Sequence, residues 1–210
     1  MGSGPLVDDT CSVQAKGVPL MIRRFNVDTI VFAVLALVML ATRTHSLSQY
    51  LHLPDTSLAS FFVLGFFARR AVAFGALFLL AFAIDVVVIN WFGQSDFCFT
   101  SAYWMLVPAY GTMWLAGRFA QARWGARAAA LPAIAVLLAA ATFVSELFSS
   151  GGFYFLGGRF TDPALAEFLP RLAKYFPFTL LATLGWSGLA AAGVTLLHFI
   201  RPETRASQRP

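Results

Sequence analysis

Residues 71–110 read AVAFGALFLLAFAIDVVVINWFGQSDFCFTSAYWMLVPAY, and the first half of this stretch decides the fold. From Ala71 to Trp91 the only ionisable side chain is Asp85. A run of that length, at ~1.5 Å per residue, crosses a bilayer core of ~30 Å as a single helix. A carboxylate inside such a helix is costly unless it faces protein or water, which makes Asp85 a functional candidate. Its own helix gives it no partner. Ala81, Phe82, Val88 and Ile89, one turn away on either side, are apolar, and Asn90 points in another direction. The partner must come from another span, a loop or a ligand. Beyond the run lies a loop, residues 92–100, where Cys98 stands between Phe97 and Phe99.

Composition extends this reading to the whole chain. Hydrophobic residues make up 59% and charged residues 12%, with a mean hydropathy of +0.72, which describes an integral membrane protein with no separate soluble domain. The basic excess, 15 Lys and Arg against 10 Asp and Glu, falls at span ends, where it sets topology and requires no nucleic acid. Cys11 precedes the first span and Cys98 follows the third, so the two face opposite sides of the membrane and do not pair.

Five further apolar segments surround the first. Residues 1–20 lack a sustained apolar period and are expected to be a disordered cytoplasmic leader or an artefactual start, with the domain proper at 21–201 and a cytoplasmic tail at 202–210. Span one is expected at about Val27 to Ala41, followed by Arg43. Span two is short, Ser57 to Phe67, with Asp55 or Thr56 as its N-cap and a tight return at Arg69 and Arg70. Span four is expected from Ser101 through Pro108, a kink candidate, to Leu115. Span five covers about Ala128 to Leu147, and span six about Phe178 to Ile200. The small-residue pairs Ala135/Ala139 and Gly188/Ala192 suit close helix contacts.

Between spans five and six, residues 149–177 read as a long connection with two Gly pairs and an amphipathic helix starting at Asp162-Pro163. Leu165, Phe168, Leu169 and Leu172 share its apolar face, and Glu167 and Arg171 stand four residues apart. With six spans, eleven basic residues (Lys16, Arg23, Arg24, Arg69, Arg70, Arg118, Arg123, Arg127, Arg201, Arg205 and Arg209) lie on one side. Four, Arg43, Arg159, Arg171 and Lys174, lie on the other. The positive-inside rule then places both termini in the cytoplasm and the Cys98 loop outside, with Asp85 ~9 Å below the outer end of its helix.

The chain contains no GxxxxGK[ST], HExxH, CxxC or GxSxG motif, so it carries no signature of an ATP site, a zinc protease, a dithiol enzyme or a hydrolase. Each candidate residue also has a plain structural reading. Asp85 could be a packing acid bonded to Tyr103 or another hydroxyl, and Cys98 a small apolar residue against aromatics. Tyr103 and Tyr110, seven apart, are ordinary aromatic packing unless their face meets span three. Arg171 could snorkel or pair with Glu167. Glu146 reads as a solvated helix-end residue, and His45, His52 and His198 as interfacial ones.

Six spans in about 180 residues, both ends inside and a short second span resemble a substrate-binding S-component of the energy-coupling factor vitamin transporters. The combination of Asp85, Phe97-Cys98-Phe99 and Tyr103 is similar to the solitary cobalamin transporters called the BtuM family. The resemblance implies an all-α, six-helix bundle in the bacterial inner membrane that binds vitamin B12 at its external side. It further implies Cys98 as the cobalt ligand, with Asp85, Tyr103 and Arg171 around the corrinoid, and loss of cyanide from cyanocobalamin at Cys98. S-components that dock on a shared energising module show AxxxA in span one, whereas Ala33, Ala36 and Ala41 are spaced three and five apart, which argues against such docking. Two other classes stay open: a membrane redox enzyme using Cys98, against which the lack of a resolving thiol counts, and an assembly factor whose outer loops bind another protein.

Overall fold

The computed structural model describes residues 18–43, 54–68, 70–92 and 100–200. They form six α-helices, with no strand among the described residues. These are α1 (Val18–Arg43), α2 (Ser57–Phe67), α3 (Ala71–Phe92), α4 (Leu106–Arg123), α5 (Leu131–Leu156) and α6 (Leu165–Ile200). Short 3-10 turns, Ser101–Met105 and Ala128–Ala130, lead straight into α4 and α5. Three helical stretches are long and apolar enough to cross a membrane. They are Ala71–Trp91, Ala128–Leu156 and Leu165–Leu196, with mean hydropathies of 2.7, 2.1 and 1.4.

Helix α2 is the axis of the bundle, in contact with α1, α3, α4 and α6. Of its 11 residues only Leu58, Phe66 and Phe67 are not buried. A helix of ~1.5 Å rise per residue is, at this length, about half a bilayer core, so its apolar surface is covered by protein and not by lipid. Glycine makes this possible. A Cβ on Gly65 would lie 2.0 Å from the Trp114 carbonyl oxygen, and one on Gly117 would lie 2.1 Å from that of Phe62. The backbones of α2 and α4 therefore touch, and any side chain at either position would force them apart. Phe61 stacks on Tyr110 with ring centroids 4.4 Å apart. Since Phe61 meets Tyr110 and Gly65, one turn on, meets Trp114, α2 and α4 run in the same direction. Met39, Leu64, Leu77 and Met113 complete the fully buried centre around them.

Several expectations are corrected. Ala135 and Gly188 are exposed, and a Cβ on Gly188 would meet nothing within 4 Å, so the predicted small-residue pairs are not the close contacts; Gly65 and Gly117 are. Helix α1 begins at Val18, inside the segment expected to be a leader, and α4 continues to Arg123, past the expected end of span four. Pro108 does not interrupt α4. It sits in the first turn of α4, where a backbone N–H has no helical partner to lose.

The largest correction concerns residues 149–177. Helix α5 runs through Ser149, Ser150, Gly151 and Gly152 to Leu156, and α6 runs unbroken from Leu165 through Pro170 and Pro177. The connection is thus residues 157–164. The glycine pair that reads as a loop is a packing device: a Cβ on Gly152 would lie 2.5 Å from Met105 Cγ. That absence lets the 3-10 turn before α4 lie directly on α5. On α6 the amphipathic stripe is narrower than expected, with Phe168 and Leu172 buried but Leu165 and Leu169 exposed.

Candidate functional site

Asp85 lies on α3, two turns before that helix ends at Phe92. Its partner is Arg43, the last residue of α1, where the helix dipole favours a cation. Arg43 Nε donates to Asp85 Oδ1 at 2.5 Å and its Nη2 to Oδ2 at 2.6 Å. This is the two-pronged geometry that a planar guanidinium offers a carboxylate. The side chains are only 13% and 20% exposed, so the pair is largely removed from water.

The third guanidinium nitrogen turns the other way. Arg43 Nη1 donates to Ser57 Oγ at 2.7 Å and to Tyr110 Oη at 3.1 Å. Ser57, at the start of α2, passes the chain on: its hydroxyl and its backbone N–H both donate to Asp55 Oδ1, at 2.8 and 3.1 Å. Thr56 thus holds the cap position of α2 while Asp55 makes the capping bond. Beside it, the buried hydroxyls of Thr42 and Thr56 share a hydrogen bond of 2.8 Å. On the far side Tyr103 donates its phenol proton to Asp85 Oδ2 at 2.9 Å, and its ring packs edge-on against Phe82. One hydrogen-bonded chain, Asp55–Ser57–Arg43–Asp85–Tyr103, with Tyr110 attached, therefore ties α1, α2, α3, α4 and the 3-10 turn together.

Two of the expected site residues, Asp85 and Tyr103, are brought together here. Cys98 lies outside the described residues, as do His45 and His52; the segment that carries Cys98 joins the end of α3 to the turn holding Tyr103. Arg171 belongs to a different group. Its guanidinium lies over the Phe160 ring at 4.7 Å and the Tyr154 ring at 5.5 Å, while Glu167 accepts the Tyr154 phenol proton at 3.2 Å. The spacing of Glu167 and Arg171 expressed itself as two contacts on one tyrosine. Glu146 is corrected from solvated to buried, 7% exposed, because α5 continues past it; its carboxylate accepts from Ser150 Oγ at 2.6 Å. Glu146 and Arg171 line a cavity of about 160 Å³ between α5 and α6. An apolar cavity of about 420 Å³ adjoins it at Phe168 and is also lined by Met105, Gly151 and Gly152.

Arg43 is the residue that sequence reasoning missed. It reads as a topology charge after an apolar helix, and 42 residues separate it from Asp85. The signal for it was the isolated acid itself, since a carboxylate in an apolar span asks for a cation, and Arg43 ends a neighbouring span on the same side. No protein-family model matches the chain, and no curated protein matches it.

Proposed function

We propose that this chain is a vitamin B12 importer of the bacterial inner membrane. In this reading the six helices all span, both termini are cytoplasmic, and cobalamin is bound from the outside at the Asp85 end of the bundle. The observation that carries the reading is the polar cluster of Arg43, Asp85 and Tyr103, placed at the two helix ends that the Cys98 segment connects. A buried ion pair bonded to a phenol is more than packing of an apolar bundle needs, and intramembrane ionisable groups mark ligand pathways. Cys98 supplies a thiolate, a soft donor suited to cobalt.

The chemistry at the ligand follows from that donor. Thiolate sulfur binds one face of the corrinoid cobalt and weakens the bond on the opposite face. Cyanide leaves cyanocobalamin as the anion with its bonding pair, and cobalt keeps its oxidation state. Arg171, on a separate cluster, meets the corrinoid from the α6 side. The resemblance to the BtuM family and the absence of AxxxA spacing in α1 support transport without a shared energising module.

The test is direct. Protein purified from cells supplied with cyanocobalamin should stay coloured, its visible spectrum should be shifted from that of the free vitamin, and the shift should vanish in Cys98→Ser. Expression should restore growth of a B12-dependent strain that lacks its own importer. Colourless protein together with no growth would rule the reading out; bound vitamin with an unshifted spectrum would remove Cys98 as the ligand.

A further inference from the structure

We infer that Arg43 is the positioning residue of the Asp85 site, and this inference rests on the cobalamin reading only for the ligand used to test it. Both oxygens of Asp85 are engaged by one guanidinium, Oδ1 by Nε and Oδ2 by Nη2, and Oδ2 also takes the Tyr103 proton. The carboxylate cannot turn without breaking two charge-assisted bonds. Arg43 is itself fixed from behind, because Nη1 bonds Ser57 and Tyr110, and Ser57 is held by Asp55. The order of support thus runs from α2 and α4 to Arg43, from Arg43 to Asp85, and from Asp85 to the phenol of Tyr103.

Two consequences follow. The acid is already neutralised by the protein before any ligand arrives, so the site does not need a cationic ligand to hold Asp85 in place. The fork geometry is also required, since a lysine ammonium is a single point donor on a flexible stem and cannot grip both carboxylate oxygens while also reaching Ser57 and Tyr110.

The experiment compares Arg43→Lys, Arg43→Met, Asp85→Leu and the double variant Arg43→Met/Asp85→Leu with the parent in detergent. Thermal unfolding and cyanocobalamin affinity are measured on each, with the spectrum of the bound vitamin as a third readout. Each single charge removal should lower the melting temperature more than the double does, because the double leaves no unpaired buried charge. Arg43→Lys should melt between the parent and Arg43→Met, because it keeps the charge but not the fork, and bind the vitamin about tenfold more weakly, the loss expected for one charge-assisted hydrogen bond, with an altered spectrum. The double should recover its melting temperature without recovering affinity.

Parental affinity in Arg43→Lys overturns the positioning role, and parental affinity in the double variant shows that Asp85 does not serve the ligand. If Arg43→Lys is too unstable to purify, the affinity of Arg43→Met, measured below its melting temperature with Asp85 still in place, decides: parental affinity there overturns the positioning role. Additive melting shifts in the two singles and the double overturn the pairing itself. Failure of the parent to bind cyanocobalamin sinks the vitamin reading, and the melting cycle still decides whether Arg43 holds Asp85.

Discussion

At Asp85 the energetics are set by what remains when one partner is removed. Asp85→Leu leaves the Arg43 guanidinium in a largely dry site with Ser57 and Tyr110 as its remaining acceptors among the described residues, and breaking a buried pair from one side costs about 3–5 kcal/mol. Tyr103→Phe removes one donor from an oxygen that Arg43 still holds, a loss of about 1 kcal/mol. Asp85→Asn should fall between them, since its carbonyl still accepts but the charge is gone. Denaturant unfolding in detergent reads all three, and a Tyr103→Phe loss as large as that of Asp85→Leu would contradict the order of support. At this scale the sequence revealed the anomaly but not its resolution. Asp85 stood out because nothing else in its span ionises, whereas Arg43 looked like one of many arginines at helix ends. Glu146 misled for a related reason: its burial depends on where α5 stops, and Gly151-Gly152 resembled a stop.

Among the elements, the α2–α4 contact depends on two glycines. Any substitution at Gly65 pushes a carbon into the Trp114 carbonyl, and at Gly117 into that of Phe62; backbone cannot move aside as a flexible side chain can. Gly65→Ala and Gly117→Ala should each destabilise by about 1–3 kcal/mol or more, the range for overpacking. Gly188→Ala, with open space around it, should leave stability unchanged or slightly raised, since alanine is the better helix former. Melting curves of the three variants give the comparison, and equal curves would show that α2 and α4 do not touch. The bounds of α2 and α3 were legible because apolar runs ended at a Pro-Asp turn or at arginines. Which glycines mattered was not, because a small-residue spacing shows where a close contact is affordable but not which helix arrives there. The same holds for Gly152, whose neighbour Met105 is far away in sequence.

For the whole molecule, the shared direction of α2 and α4, with Phe61 on Tyr110 and Gly65 on Trp114, is what an alternating series of spans requires of two even-numbered helices. Arg118 and Arg123 then lie at the end of α4 opposite Asp85, and Arg118 covers the Trp114 ring at 4.7 Å, a cation and an aromatic placed together as at a membrane interface. The turn at residues 124–127 between α4 and α5 should therefore face the cytoplasm, and the connection at 157–164 between α5 and α6 should face outward with the Asp85 end. Ala126 and Thr161 are both exposed, one on each of these segments. In a background carrying Cys11→Ser and Cys98→Ser, Thr161→Cys should react with a membrane-impermeant thiol reagent in intact cells. Ala126→Cys should react only after the membrane is opened. The reverse pattern inverts the protein and places Asp85, Tyr103 and Cys98 on the inner face, where uptake from outside could not begin; labelling of both in intact cells would mean that α5 does not cross.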